Sequence, residues 1–466
     1  MERNERRNNM EKVDIVIVGG GIGGMMFAYR MMEKNPQIKI VLLEQGKDIQ
    51  DRKCPIINKL VDHCVKCEPC DIMDGMGGAG AFSDGKYIIS TEYGGWLPDF
   101  INPRVVLRYI EEADQILMKF GATENRFIPD DELKKLCLQY DLHMQQAQLK
   151  HLGTDANYET MVKMQNHLSQ FIDIRTRCKV VDIDKNSKVL RYISNNKEQE
   201  IQAEKIVLAV GRSGSRQFIS WCKENKIPFE NNQVDIGVRV ELPAIVWDHF
   251  SKKIYEPKIF YRSKGYGDTT RMFCFNERGF VVTENTEGVL SVNGHAYKGE
   301  EKKTENSNFA LLATIRFTEP FNEPIEYARS VAALANKISG GSVLVQRLGD
   351  LEVGRRTDAN RLRQSTVQPT LNAVPGDLSL CMPKRQLDNI VETIHQLDKV
   401  APGTANYDTL LYGVECKYYS GRPKCKDFEI EGCTGIYAIG DGAGFTRSLS
   451  QASANGLIVA DILSMG

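Results

Sequence analysis

The stretch from Val13 to Glu44 constrains the chain most, because it reads in order as strand, glycine turn, helix, strand and acid. Val13-Asp14-Ile15-Val16-Ile17-Val18 is apolar and β-branched, it breaks into Gly19-Gly20-Gly21-Ile22-Gly23-Gly24, and a helical pattern runs from Met25 to Lys34. Ile38 to Leu43 is a second buried-type strand, ending on Glu44. Gly19, Gly21 and Gly24 have the G-x-G-x-x-G spacing. Its glycines permit a tight turn, close approach of backbone to a pyrophosphate, and close packing of helix on strand. The helix N-terminus at Ile22 and Gly23 then presents free N–H groups to phosphates. Glu44, 20 residues past Gly24, is placed to accept both hydroxyls of an adenosine ribose, with Gln45 beside it.

A second turn near the other end of the chain narrows the cofactor. Gly435 to Ile439 reads as a buried strand, meets Gly440-Asp441-Gly442-Ala443-Gly444, and precedes a helix over 449–462. A late strand ending in Gly-Asp, in a chain that opens on the dinucleotide fingerprint, points to FAD. Asp441 would accept from the ribitol chain, while Gly442, Ala443 and Gly444 bring backbone N–H groups near the phosphate and flavin. The glycine-rich run Gly75 to Lys86 brings backbone close to something, with Gly78, Ala79, Phe82 and Ser83 as expected contacts. A β-meander over 179–210 ends in Gly211-Arg212-Ser213-Gly214, and Val180 and Gly211 complete the expected cofactor set. There is one G-x-G-x-x-G and no second one in the middle of the chain, which argues against a dedicated nicotinamide domain.

Between these pieces the pattern changes. A capped helix is expected from Asn102-Pro103 to Phe120. Strands alternate with long polar loops at 235–241, 271–276, 280–283, 289–293 and 309–316, and helices return at 324–339 and 383–397. The expected fold is α/β, an FAD-binding Rossmann-like three-layer domain with an inserted β-rich substrate lobe. Residues 12–216, including a helical segment over 102–170, and 411–466 would form the FAD domain, and 217–410 the lobe. Candidate acid-base and anion-binding groups are His295, following a strand of the lobe, Arg271, Tyr412 and Glu415, with Arg239, Tyr418, Arg355 and Arg356 as further candidates or solvated charges.

Cys64, Cys67 and Cys70 form C-x-x-C-x-x-C, and Cys54 lies ten residues before Cys64. Four thiolates can hold a 4Fe-4S cluster beside a flavin, which handles one or two electrons. The alternatives are a structural zinc, a redox dithiol, or free thiols in a loop.

The chain resembles the uncharacterised FAD-dependent dehydrogenases related to two-motif, glutathione reductase-like flavoproteins. The likeness rests on Gly19 to Gly24 with Glu44, Gly77 to Lys86, Asp235-Ile236-Gly237-Val238-Arg239-Val240-Glu241, Val292-Asn293-Gly294-His295, and Ile439 to Gly444. It implies a three-layer FAD domain with an interrupting lobe and leaves the substrate unassigned. The expected activity is electron transfer between a reductant, ferredoxin or another carrier, and a small organic substrate at a C=C or C=N bond. The alternatives are a flavin-dependent RNA-modifying or RNA-binding protein and a flavin-linked disulfide reductase. A formal net charge of -1 in 466 residues counts against a nucleic-acid partner. The polar opening Met1 to Lys12 and the absence of an apolar run of roughly 18 residues lead to the expectation of a cytoplasmic protein without membrane contact.

Overall fold

The chain enters as β1 (Glu11–Val18), turns through glycines into helix α1 (Ile22–Lys34) and returns as β2 (Ile40–Leu43), parallel to β1 with Val18 opposite Leu43. Parallel strands need such a crossover, and burial on both faces explains why the buried half of β1, Ile15–Val18, and all of β2 are continuous in Val, Ile and Leu. The computed structural model describes residues 10–55, 58, 60, 67–145, 147–254, 256–286, 288–296, 303–317, 320–321 and 323–465. The chain divides into two units, one within Met1–Arg126, Ala147–Glu230 and Ser420–Gly466, the other within Phe127–Gln146 and Asn231–Tyr419.

The first unit continues through a short 3₁₀ turn (Gly78–Phe82) to β3 (Lys86–Ile89), which pairs antiparallel with β4 (Gln148–His151). Helix α2 (Thr154–Leu168), β5 (Asp173–Arg175), β6 (Lys197–Leu208), helix α3 (Gly211–Glu224), β7 (Ile436–Ala438) and helix α4 (Leu449–Ser464) follow. The central order is β7-β6-β1-β2-β5, all parallel. Strand β6 serves three neighbours: its first half closes the antiparallel meander on Val189–Ser194, and its second half runs parallel between β1 and β7, with Leu208 opposite Val18 and Ala438. Helix α4 is buried along Ser450–Asp461, with polar Gln451, Ser453 and Asn455 among the fully buried residues. It lies so close to α1 that a Cβ on Gly456 would run into the Gly23 carbonyl oxygen.

In the second unit an eight-stranded sheet centres on Val234–Pro243, paired antiparallel with Asn306–Ile315 and Leu410–Lys417. Its side chains alternate. Ile236, Val238 and Val240 join an apolar core, while Asp235, Arg239 and Glu241 are fully buried polar residues on the other face. Phe280–Thr286 and Val289–His295 form a separate hairpin, and helices Pro324–Ile338 and Lys384–Asp398 belong to the same unit.

The unit boundaries differ from the expected ones. Gln217 lies inside α3, and Leu410 opens a strand of the second unit. The segment 127–146 belongs to the second unit as well, because Leu142–Met144 adds an edge strand to its sheet beside Ile259–Arg262. Among the described residues no helix is long and apolar enough to cross a membrane.

Candidate functional site

In the first unit three strands, β1, β6 and β7, end side by side, and each runs into a glycine turn. In open parallel sheets, ligands bind in the crevice outside such carboxyl ends. The glycines do two different jobs. A Cβ on Gly19 would strike the Ala209 carbonyl oxygen, on Gly24 the Gly19 carbonyl oxygen, and on Gly442 the Gly211 carbonyl oxygen, so these three let the turns pack. At Gly21, Gly211 and Gly440 an added Cβ meets nothing within 4 Å. Those positions leave room at the strand ends for the close backbone approach that a pyrophosphate and ribitol chain would need, and Gly211 and Gly440 also have positive φ, 61° and 79°. Gly21 is the N-cap of α1, and no side chain caps it. The first N–H groups of α1 are therefore left for an anion.

The second glycine run lies on the first. Gly77 N–H donates to Gly20 O at 2.8 Å, and a Cβ on Gly78 would come within 3.1 Å of Gly21 Cα. Two buried side chains that the sequence reading passed over hold this run. Arg52 donates to Met76 O at 2.7 Å and Gly78 O at 2.8 Å, and its guanidinium lies 4.5 Å from the centroid of Phe82. Burial holds the Arg52 pKa below its ordinary value, with Glu44, Asp74 and Asp71 opposing. Asn157, on α2, donates to Gly80 O at 2.7 Å and accepts from Tyr87 Oη at 3.0 Å. Ser83 Oγ also donates to Gly80 O, at 2.7 Å. Neither Arg52 nor Asn157 sits in a motif; a polar residue on the buried face of α2 was the only signal for Asn157.

Glu44 is 5% exposed and differs from expectation. Its Oε2 accepts from Gly20 N–H at 2.7 Å, and its Oε1 accepts from Gly46 N–H at 2.8 Å and Gly75 N–H at 3.0 Å. A carboxylate has about four acceptor positions, so Glu44 keeps one, on Oε2, rather than the two needed for both ribose hydroxyls. Its main work is to tie the end of β2 to both glycine runs. Gln45 donates to Asp74 Oδ1 at 2.8 Å and so steadies the same corner. Ala79 is half-buried within the 3₁₀ turn. Val180 lies on the strand whose first residue, Cys178, donates from its N–H to Glu44 O at 2.8 Å; its own carbonyl accepts from Gln217 Nε2.

At the late turn, Gly440 N–H donates to Asn455 Oδ1 at 2.8 Å, and the buried Asn455 Nδ2 has no hydrogen-bond partner among the described residues. Asp441 accepts from Thr446 Oγ1 at 2.6 Å. Burial pushes the Asp441 carboxyl up, opposed by Arg212, Thr446 and Arg447. Glycines open at the strand ends, an uncapped helix start and an orphaned buried donor beside Gly440 all fit an FAD.

The second unit distributes the four expected catalytic side chains over separate groups. Glu415 is fully buried in a bidentate pair with Arg239, at 2.8 and 2.9 Å, and Arg239 also donates to Cys274 O and Asn293 Oδ1. Tyr412 is hydrogen-bonded to Glu241, which Thr370 also contacts; burial pushes both the Glu241 carboxyl and the Tyr412 hydroxyl up. Arg271 pairs with Asp235, which also accepts from Tyr419 and Thr314. His295 is exposed at the end of the hairpin, opposite Phe280. Glu415, Tyr412 and Arg271 are each engaged by a charged partner on the buried polar face of the sheet. Burial pushes the Tyr418 hydroxyl far up. Arg355 pairs with Asp350, and Arg356 is exposed beside Pro375 O.

Of the expected metal ligands, Cys54, Cys67 and Cys70 are half-buried free thiols, and Cys64 lies outside the described residues. Among the described residues no group of three or more His, Cys, Asp or Glu is placed to hold a metal ion.

The chain is similar to an uncharacterised protein of Clostridium beijerinckii, 25% identical over 465 residues, which cover 96% of this chain and 80% of that one. Among solved structures it is similar to glycine oxidase from Geobacillus kaustophilus, at 11% identity and TM-score 0.40, covering 98% of this chain and 95% of that one. L-proline dehydrogenase from P.horikoshii matches at 12% identity and TM-score 0.38, covering 98% and 94%. Residues 233–418 match the family described as FAD-dependent protein, C-terminal domain-like.

Proposed function

We propose that this protein is an FAD-dependent oxidoreductase that moves electrons between a reductant and a small organic substrate. The observation that carries the reading is that the Gly19–Gly24 and Gly440–Gly444 turns follow the ends of β1 and β7, on either side of β6, with room left at Gly21, Gly211 and Gly440. The match of residues 233–418 to an FAD-dependent family supports it from outside the cradle. When bound, the flavin supplies hydride and single-electron chemistry. The chain's own residues do the rest. The start of α1 and the Gly440–Gly444 turn bind the phosphates, Glu44 Oε2 accepts one ribose hydroxyl, Asp441 accepts from the ribitol, and Arg52 with Asn157 keeps the second glycine run against Gly21.

The substrate class in this reading carries a C=C or C=N bond, formed or reduced. A ferredoxin-like carrier as reductant and a 4Fe-4S cluster on Cys54, Cys64, Cys67 and Cys70 draw their support from the C-x-x-C-x-x-C spacing alone. The test is the visible absorption spectrum of purified protein, with the released flavin identified by chromatography. Stoichiometric FAD is the expected result. Protein that holds no flavin as purified and takes up none on reconstitution refutes the proposal.

A further inference from the structure

The second unit gathers five arginines between residues 347 and 363, Arg347, Arg355, Arg356, Arg361 and Arg363, against three acids, Asp350, Glu352 and Asp358. Three of the arginines converge on Asp350, which is fully buried in the helical turn Leu348–Glu352 that follows the strand Leu344–Arg347. Its Oδ2 accepts from Arg347 Nε at 3.0 Å and Thr357 Oγ1 at 2.9 Å. Its Oδ1 accepts from Arg355 Nε at 2.9 Å, Arg355 Nη2 at 2.6 Å and Tyr407 Oη at 3.0 Å. A carboxylate has about four acceptor positions, so these donors fill it. Arg361, on the short helix Ala359–Arg363, brings its Nη1 to 3.6 Å from the same Oδ1 and finds no lone pair left. Its other ion pair joins Nε to Asp358 Oδ2 at 3.4 Å, and among the described residues its guanidinium makes no hydrogen bond. The arrangement is held on several sides. Arg355 N–H donates to Asp350 O at 2.8 Å, and Arg355 O accepts from the buried Gln346 Nε2 at 2.9 Å. Tyr407 accepts from Arg355 Nη2, and its ring centroid lies 4.9 Å from the Arg347 guanidinium. The ring fits because residue 349 is glycine, where a Cβ would strike it. Arg355 Nη1 keeps both its N–H groups without a partner among the described residues, and the side chains of Arg355 and Arg361 are 43% and 35% exposed.

We propose that Arg355 and Arg361 form a binding site for the phosphate group of a small molecule on the second unit, with Asp350 as their positioning residue. Two guanidinium groups meet at one oxygen of a buried carboxylate, and both carry spare donors on side chains that reach solvent. A planar fork of N–H groups matches the oxygens of a phosphate, and two forks at one place suit its double charge better than the single charge of a carboxylate. Arg356, exposed and bonded only to Pro375 O at 3.5 Å, adds a third cation next in the chain. The acids nearby are accounted for. Asp408 is engaged by Arg347 Nη1 at 2.9 Å and Glu352 by His395, so Asp358, 53% exposed, is the carboxylate that a bound phosphate displaces from Arg361. The inference uses no residue of the first unit and does not rest on the FAD reading.

The test is isothermal titration of the purified protein with inorganic phosphate, and separately with acetate, for wild type, Arg355→Gln, Arg361→Gln, Arg363→Gln and Asp350→Asn, each checked for folding by circular dichroism. Saturable one-to-one binding of phosphate, much tighter than that of acetate, is expected. Loss of a charged hydrogen bond in Arg355→Gln or Arg361→Gln should weaken it about 10-fold or more. Arg363→Gln removes the same charge from a residue outside the Asp350 group and should leave it nearly unchanged. Asp350→Asn separates an oriented site from a surface that is only positive: deleting a negative charge strengthens phosphate binding to such a surface, whereas forks set by the carboxylate should bind phosphate more weakly without it. If Asp350→Asn does not fold, the three arginine variants carry the test. Four outcomes overturn the proposal: no phosphate binding by folded wild type, acetate bound as tightly, equal affinity in wild type and both Arg355→Gln and Arg361→Gln, or tighter binding in Asp350→Asn. Phosphate held instead at the glycine turns of the first unit would give the third of these, and none of the four bears on the FAD reading.

Discussion

Gly21 and Gly24 stand three residues apart in one motif, yet the structure assigns their missing side chains to different partners. Gly24 faces protein, since a Cβ there would strike the Gly19 carbonyl oxygen and press on Ile17 and Ala209. Gly21 faces open space at an ordinary φ of -70°. Alanine at 24 must push α1 off β1, an overpacking that costs about 1–3 kcal/mol, or about 2–12 °C of apo-protein melting temperature for a unit of this size. Alanine at 21 meets no protein atom, so apo stability should change by less than about 1 kcal/mol, the scale of an N-cap exchange. The same methyl occupies the path of the pyrophosphate, and a penalty of about 1–3 kcal/mol against the cofactor raises Kd by roughly 5- to 140-fold. Circular dichroism melts of apo protein and flavin-fluorescence titrations with FAD measure the two effects separately. Gly21→Ala binding FAD as wild type does, or losing FAD only in step with apo stability, would refute the assignment of Gly21 to the cofactor.

Replacing Arg239 by Met leaves Glu415 buried with only Lys417, 3.2 Å away, as a cation; chemical denaturation should show a loss of about 3–5 kcal/mol, and a smaller loss in the double variant Arg239→Met, Glu415→Leu. Asn157→Ala removes the hold on Gly80 O and Tyr87 Oη; a stability loss of about 1–3 kcal/mol with weaker FAD retention is expected, and retention unchanged would show that the second glycine run needs no such support. Burial pushes the Asp350 carboxyl up, but Arg347, Arg355, Thr357 and Tyr407 overcome it and lower it to about 2. Its folded pKa is depressed, so its contribution of about 2 kcal/mol is complete above the unfolded carboxylate pKa of about 4 and is lost as pH falls through about 2; Asp350→Asn should narrow the stability gap to wild type over that window. Iron, acid-labile sulfide and zinc analysis of anaerobically purified protein, beside Cys67→Ala, tests the cysteine loop; flavin without any metal would remove both the cluster and the zinc.

The first glycine turn was legible in the sequence because its geometry is local: a strand, three glycines and a helix leave few ways to arrange Gly19 to Gly24, and β1, α1 and β2 formed where periodicity placed them. Part of the second unit was readable for the same reason: strands formed around 235–241, 271–276, 280–283, 289–293 and 309–316, while Ile259–Arg262, Leu344–Arg347 and Leu410–Lys417 went unread. Residue type alone could not show partners that come from far away in the chain. Residue type offers Glu415 and Tyr412 as acid-base groups, and only the tertiary structure gives them Arg239 and Glu241, from a neighbouring strand, as partners. Arg52 and Asn157 look like ordinary polar residues until the second glycine run arrives between them.

What the sequence alone determined is thus the set of turns that only glycine permits and the order of strands and helices around them, both consequences of backbone sterics and hydrophobic period. Only the tertiary structure decided which turns share a cradle, how many acceptor positions Glu44 has left, and that Tyr407 meets Arg355 and Asp350. Those outcomes depend on strand register and on hydrogen bonds across long sequence separations. No local pattern records them, because each partner is satisfied by a residue whose position is set by the packing of the rest of the unit.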